Sequence, residues 1–405
     1  MMREGWQQIH LGDVFEPDNS RLGEQTEEPT IFSISKYDGV IPADSFFGKR
    51  IASAQLDTYK VLPVDGWAYS TIHIDEGSIA RNKLNHAGVV SPMYTTLRWK
   101  GTSHNPQLFE WLLREPAMLE TYRANAQGSI NRRRSLPWKA FSAIEIGLPS
   151  LAEQNRIVDL IRALDEAIEA ADALSTSALN LSALTRERFL AELPETTVAN
   201  LLTKITAGKS PTAENNPPME GQFGVLKVSA IGPTGFRPQE AKTISDAAIF
   251  TDEMSVKAND VLITRANTAE RVGMVCFVDQ NYPNLFLCDK TLRLQPAPGV
   301  DPRALAFTMQ SNLVRRQLAG AGTGTSGSMK NISQGDIKSL RIQWPNTVAA
   351  QLELSELVQA HRNAYFESAS VSSNMRTLRN NLLSACLSRE HEIPSSYDVA
   401  MGGSA

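Results

Sequence analysis

The sequence predicts an α+β chain: two globular domains in tandem repeat, separated by two long antiparallel α-helices that pair as a coiled-coil spacer. Three observations lead there. Two stretches repeat the same spacing of apolar residues, proline and glycine at a fixed offset. Each is followed by a segment of roughly forty residues with no glycine or proline, in which apolar residues step by three and four. Ahead of each lie β-branched runs broken by turn residues, which read as strands.

The repeat comes first. "NPQLFEWLLREPAMLETYRANAQGS" starts at Asn105 and "DPRALAFTMQSNLVRRQLAGAGTGT" at Asp301, an offset of 196. The same offset sets Gly128 on Gly324, Phe141 on Ile337, Ile144 on Leu340, Ile146 on Ile342 and Pro149 on Pro345. Shifted one further residue, Glu153-Gln154 faces Ala350-Gln351, and Ile157, Leu160 and Ile161 face Leu354, Leu357 and Val358. Asn105 and Asp301 each precede a proline, the pattern of an N-cap followed by proline at the first helical position. "KVLPVDGWAYSTIHI" and "NDVLITRA" with "GMVCFVD" and "LFLCDKTLRLQP" read as strands.

The long segments predict helices. In the first, positions 157, 161, 164, 168, 171, 175, 178 and 182 form one stripe. In the second, Leu354, Leu357, Val358, Val371, Met375, Leu378 and Leu382 do the same. Forty residues make a rod on the order of 60 Å. Neither stripe is apolar enough to stand alone, so the two helices are expected to bury each other. The boundaries follow: domain one at 1–149, helix at 150–193, domain two at 194–346, helix at 347–390, and a flexible tail at 391–405.

Composition narrows the function. The chain of 405 residues carries a net charge of −4, with 42% hydrophobic and 21% charged residues, an ordinary globular composition. No apolar run reaches the roughly 20 residues of a membrane span. The start, "MMREGWQQIHLGD", has no continuous apolar stretch, so no secretory leader is expected and the cytoplasm is the default. Cys276, Cys288 and Cys386 are too few and scattered for a disulfide framework or metal cage. Residues 1–150 hold 16 Lys/Arg against 17 Asp/Glu and 194–346 hold 16 against 13, whereas 151–193 hold 4 against 8. Contact with a polyanion would come from local clusters in the two large segments.

Catalytic motifs fail on spacing. "NNPPME" (Asn215–Glu220) has Met219 where a base-stacking aromatic ring is needed. "GAGTGTSGSMK" (Gly320–Lys330) lacks the Lys-Ser/Thr that must follow the second glycine of a phosphate loop, though Thr325 and Ser326 offer hydroxyls to a sugar-phosphate backbone. No histidine pair has zinc spacing. Neither a catalytic site nor a cofactor or metal site is expected in this chain.

The candidate sites are basic and polar clusters. Asn131, Arg132, Arg133 and Arg134 with Lys139 mark one boundary, and Lys330-Asn331 with Lys338 the equivalent one. Arg81-Asn82-Lys83, Arg265 with Asn267, and Lys209 lie near the matching strands and loops. Arginine binds guanine bidentately, asparagine binds adenine and lysine suits phosphate, so such mixed loops fit contact with double-stranded DNA. A solvated surface is the competing reading of each residue alone.

"IEIGLPSLAEQNRIVDLI" (Ile144–Ile161) resembles the end of a target-recognition domain and the start of a conserved helix in specificity subunits of type I restriction-modification systems. The family pattern is apolar-x-apolar-x-x-Pro-x-x-x-Glu-Gln-x-x-Ile, met here by Pro149, Glu153, Gln154 and Ile157. The second copy, "LRIQWPNTVAAQLELSELV", keeps Pro345 and Gln351, replaces Glu by Ala350 and inserts one residue. "GTSGSMKNISQGDIKSLRIQWP" also looks like the stretch closing many such domains. The resemblance covers nearly the whole chain, to about residue 390. It implies a non-catalytic subunit whose two target-recognition domains each read half of a bipartite DNA sequence, with the helices as spacer. It also implies docking of two methyltransferase subunits, expected on Glu153, Gln154, Ile157, Leu160, Ile161, Gln351, Leu354, Leu357 and Val358. Those partners supply S-adenosylmethionine for adenine-N6 methylation, and a motor-nuclease subunit brings ATP and Mg2+. Two other classes stay open: a helical adaptor that binds protein without DNA, and a self-contained methyltransferase or nuclease.

Overall fold

The computed structural model describes residues 6–23, 29–44, 56–101, 103–128, 134–321 and 330–400. Two compact units divide the chain: Met1–Ile168 with Asn374–Ala405, and Glu169–Ser373. No helix among the described residues is long and apolar enough to cross a membrane.

The first unit opens with β1 (Gln7–His10), α1 (Leu11–Val14) and β2 (Phe15–Pro17), then the hairpin β3 (Phe32–Ser35) and β4 (Gly39–Pro42). Strands β5 (Lys60–Leu62), β6 (Trp67–Ser70), β7 (Ile79–Arg81), β8 (Gly88–Val90) and β9 (Tyr94–Trp99) follow. Then come α2 (Pro106–Leu112), α3 (Pro116–Asn125), α4 (Trp138–Ser142), β10 (Glu145–Leu148) and the forty-residue helix α5 (Leu151–Leu190), whose residues from Glu169 on belong to the second unit.

The second unit holds β11 (Glu195–Thr197), β12 (Leu202–Ala207), β13 (Phe223–Leu226), β14 (Ile231–Gly232), β15 (Gly235–Phe236), β16 (Ala241–Ile244) and β17 (Ser255–Val256). It continues with β18 (Val261–Thr264), β19 (Ala266–Asn267), β20 (Val275–Phe277), β21 (Tyr282–Phe286) and β22 (Thr291–Pro296). After α6 (Pro302–Thr308) and α7 (Asn312–Ala321) come β23 (Lys330–Asn331), α8 (Gln334–Ser339), β24 (Arg341–Gln343) and α9 (Val348–Leu387), also of forty residues, of which those from Asn374 on belong to the first unit. The final helix, α10 (Ser396–Ala400), belongs to the first unit.

The repeat is carried in strand order. The first unit has a four-stranded antiparallel sheet β2-β9-β6-β7, and the second has β12-β22-β18-β20. In each, the strand entering the long helix pairs with the strand that starts the domain: β1 with β10, β11 with β24. The cores differ in chemistry. Phe15 packs edge-on to Trp67 and Trp99, each at 5.2 Å, and Tyr69 stacks on Phe141 at 4.9 Å. The second sheet buries mainly aliphatic residues, among them Val261, Ile263, Leu292, Leu294 and Leu305. Topology is thus kept while side-chain volumes are exchanged, which a core tolerates when patterning and total volume hold.

The stretch that Asn105 caps holds two helices, α2 and α3. Pro116 has no N–H and its ring would strike the carbonyl one turn back, so the chain leaves helix at Leu113 and restarts. Both expected caps form. Asn105 Oδ1 accepts from Gln107 N at 2.9 Å, and Asp301 Oδ1 from Ala304 N at 2.7 Å.

Within each unit the long helices run antiparallel. Residues Ile157, Ile161, Ile168, Ala171, Ser175 and Ser182 are buried, on the expected stripe. On α9 the phase differs: Leu357, Val371 and Leu378 are exposed, and Ser355, Val358, Arg362, Ser372 and Leu383 turn inward. A three-four pattern allows two neighbouring phases, and polar pairing selects this one. In the second unit Ser372 Oγ donates to Asp172 at 2.6 Å and the Ser175 and Ser368 hydroxyls meet at 2.8 Å. In the first, Arg379 grips the Asp165 carboxylate through Nε and Nη2 at 2.8 and 3.3 Å.

The expected flexible tail is also corrected for residues 391–400. Ile393 is buried against Ile157 and Leu383, and Arg156 ties the segment by donating to the Ile393 carbonyl at 3.0 Å and pairing with Asp398 at 3.2 Å. Residues 401–405 lie outside the described residues.

Candidate nucleic-acid interface

The second unit brings four of its basic and polar candidates together at one small ladder. Strands β19 and β23 pair antiparallel, with Ala266 opposite Asn331 and Asn267 opposite Lys330. The Arg265 carbonyl accepts from Ile332 N, and its N–H donates to the Lys290 carbonyl, both at 2.9 Å. Sixty-odd residues of sequence therefore separate Arg265 and Asn267 from Lys330 and Asn331, yet they share one sheet edge with Lys290 beside them. Nothing in the sequence around Lys290 marks it, because only the fold brings its turn to that edge. Asn267 turns its side-chain oxygen onto Thr268 N at 2.9 Å, while Asn331 is exposed. Lys338 is exposed on α8, and Lys209 is exposed with Nζ donating to the Ile249 carbonyl at 2.9 Å. Thr325 and Ser326 lie outside the described residues.

The first unit differs. Asn82 is fully buried; its amide donates to the Pro63 and His86 carbonyls at 3.0 and 3.1 Å and its oxygen accepts from Leu84 N at 3.1 Å. A side chain so committed staples a turn, and the base-reading expectation for Asn82 is withdrawn. Arg81 pairs with Glu110 at 2.6 Å with its side chain 18% exposed, and Lys83 pairs with the same carboxylate. Glu110 sits on α2, too distant in sequence for spacing to reveal that it neutralises this cluster. Arg134 is held by donating to the Ala126 carbonyl, and Lys139 is exposed on α4. Asn131, Arg132 and Arg133 lie outside the described residues.

The residues expected to dock a partner face inward instead. Gln154, Ile157, Ile161, Gln351, Leu354 and Val358 are buried at 3% exposure or less, and Glu153 at 7%. Leu160 is partly buried beside them, whereas Leu357 is 41% exposed. The two glutamines do the same job in both halves. Gln154 Oε1 accepts from Asn105 N at 2.9 Å and its amide donates to the Pro149 carbonyl at 2.9 Å. Gln351 Oε1 accepts from Asp301 N at 2.7 Å and its amide donates to Pro345 at 3.1 Å. The apolar-Pro-Gln motif is thus a fastening between strand end, long helix and capped helix. Among the large apolar side chains left outside are Leu174, Leu181 and Leu184 on α5 and Leu357, Phe366, Val371 and Leu378 on α9.

A specificity subunit of M. genitalium, solved by crystallography, superposes with a TM-score of 0.52 over 93% of this chain and 95% of that one at 12% identity. A chain from a structure of type I restriction-modification complex assembly and conformational transition gives 0.57 over 96% and 98%, at 16% identity. The fold is that of the type I specificity subunits. In sequence, the EcoEI type I specificity subunit of Escherichia coli is 28% identical over 164 residues. That match spans 40% of this chain and about a quarter (27%) of the EcoEI subunit. No protein-family model matches. These likenesses bear out the resemblance to the type I specificity subunits.

Proposed function

We propose that this chain is the non-catalytic DNA-recognition subunit of a type I restriction-modification complex. The observation that carries the reading is the duplication itself: one sheet order built twice, each copy fastened to its own long helix by a buried glutamine. Each domain reads one half of a bipartite duplex sequence. In the second, the edge bearing Arg265, Asn267, Lys290, Lys330 and Asn331 supplies cations for phosphate and polar side chains for base edges. In the first, Lys139 and the Asn131–Arg134 segment take that part.

The helices fix the distance between half-sites and dock two methyltransferase subunits. Exposed leucines on α5 at 174 and 181, seven apart, and Leu357 and Val371 on α9, fourteen apart, support a docking row of coiled-coil spacing. The partners bring S-adenosylmethionine; a motor-nuclease subunit brings ATP and Mg2+, and the complex works in the cytoplasm. The test is a methylome of a host carrying this chain with its methyltransferase. Inserting about four residues within 165–185, close to one helical turn, is expected to change the gap between methylated half-sites and leave their sequences intact. An unchanged gap sinks the ruler role, and no methylated bipartite site at all sinks the whole reading.

A further inference from the structure

A cavity of about 300 Å³ in the second unit is lined by three guanidinium groups, Arg186 from α5, Arg315 from α7 and Arg362 from α9, and by no carboxylate. Three other cavities set the contrast. Arg81, Lys83 and Arg114 share theirs with Asp38 and Glu110; Arg123 and Arg134 face Asp75; Arg303 faces Asp301 and Glu356. In the Arg186 cavity no carboxylate lines the wall: Arg186 pairs with Glu187 outside the lining, while the bonds of Arg315 and Arg362 go to carbonyl and amide oxygens.

The arginines are built in. Arg186 and Arg362 are 9% and 7% exposed. Each of the three spends two of its five N–H donors on the chain. Arg186 donates to Glu187 from Nε and Nη2 at 3.2 and 3.1 Å. Arg315 donates to the Val272 and Glu270 carbonyls at 2.7 and 2.9 Å. Arg362 donates to Gln310 at 3.4 Å and to the Thr234 carbonyl. Burial, and the charge of Arg186 beside it, press the Arg362 pKa down, so the cavity holds positive charge at a cost. An anion within it lowers that cost.

We propose that this cavity binds a phosphate group through Arg186, Arg315 and Arg362. Donors arriving from three helices suit a tetrahedral oxyanion with several acceptor oxygens better than a planar carboxylate, which one guanidinium fork already satisfies. Ser182 adds a hydroxyl to the lining. The phosphate comes either from a DNA backbone or from a free phosphate, and the experiment separates the two.

The purified full chain is titrated calorimetrically with inorganic phosphate in a chloride buffer of matched ionic strength. Saturable binding is expected for the wild type, weakened at least tenfold in Arg186→Gln and in Arg315→Gln. Arg316→Gln removes the same charge from an exposed position next along α7 and is expected to change nothing. A second arm measures duplex affinity against salt. With a backbone phosphate in the cavity, Arg186→Gln flattens the slope of log affinity against log salt by about one; with free phosphate the slope is unchanged while phosphate affinity still falls. No saturable phosphate binding by the wild type, or equal weakening in Arg316→Gln, overturns the proposal. The wild-type titration needs no variant to fold. It requires neither DNA nor a methyltransferase, so its failure is distinct from failure of the recognition reading.

Discussion

Gln154 joins two elements that sequence keeps forty-nine positions apart: it accepts the main-chain N–H of Asn105 at 2.9 Å. Its amide meanwhile holds the Pro149 carbonyl. The orientation of that amide is therefore set, oxygen toward an N–H and nitrogen toward a carbonyl.

Truncating this side chain leaves both main-chain groups short of a partner in a buried place. Gln154→Ala and Gln351→Ala are each expected to cost about 1–3 kcal/mol. Because the two sites lie in different units and share no partner, the double variant should lose close to the sum. Urea unfolding of the three variants checks both statements.

The same amide nitrogen points at His104 Nδ1, 3.3 Å away, so that ring nitrogen must offer a lone pair. Burial also holds the His104 pKa below the ordinary value of 6.5. A depressed histidine pKa contributes stability that is present in full above pH 6.5 and lost as pH falls below it. The unfolding midpoint should drop between pH 7.5 and 5.5, and His104→Asn should flatten that drop. Val300 stands at the matching position of the second half, so the histidine contribution belongs to the first unit alone.

Two glycines test how rigid their neighbours are. A Cβ on Gly208 would lie 1.8 Å from the Leu287 carbonyl oxygen, which is main chain and also accepts from Lys209 N. A Cβ on Gly147 would lie 1.8 Å from the Arg389 guanidinium, the far end of a long side chain. Gly208→Ala should therefore cost about 3 kcal/mol or more and Gly147→Ala about 1 kcal/mol. Thermal unfolding of both decides it; equal losses would contradict the distinction between yielding side chain and fixed backbone.

The repeat, the two caps and both long helices are readable from the sequence because each rests on local spacing: Asn-Pro and Asp-Pro starts, glycine-free runs, and apolar steps of three and four. What eludes sequence is long-range pairing. Nothing near Arg81 or Lys83 in the chain announces that Glu110 will neutralise them, and nothing around Asn82 says that two carbonyls and a turn will absorb its amide. The phase of α9 escapes for the same reason, since Asp172 and Asp165 choose it from the other helix. The family motif is visible by its residues, yet its glutamine faces inward, where the family resemblance implied a partner contact.

Dividing the first unit between both ends of the chain sets an order of assembly during synthesis. Residues Leu383, Cys386 and Ile393 complete a core with Leu108, Ile157, Val158 and Ile161. The ribosome makes Leu383, Cys386 and Ile393 roughly 200 residues after the first unit's opening segment ends, a delay of roughly 10–40 s at ordinary elongation rates. The second unit is continuous and is finished first. The domain that emerges earliest thus stays unsealed until the end, so a nascent chain cut short loses the closure of its first domain while its second is already whole.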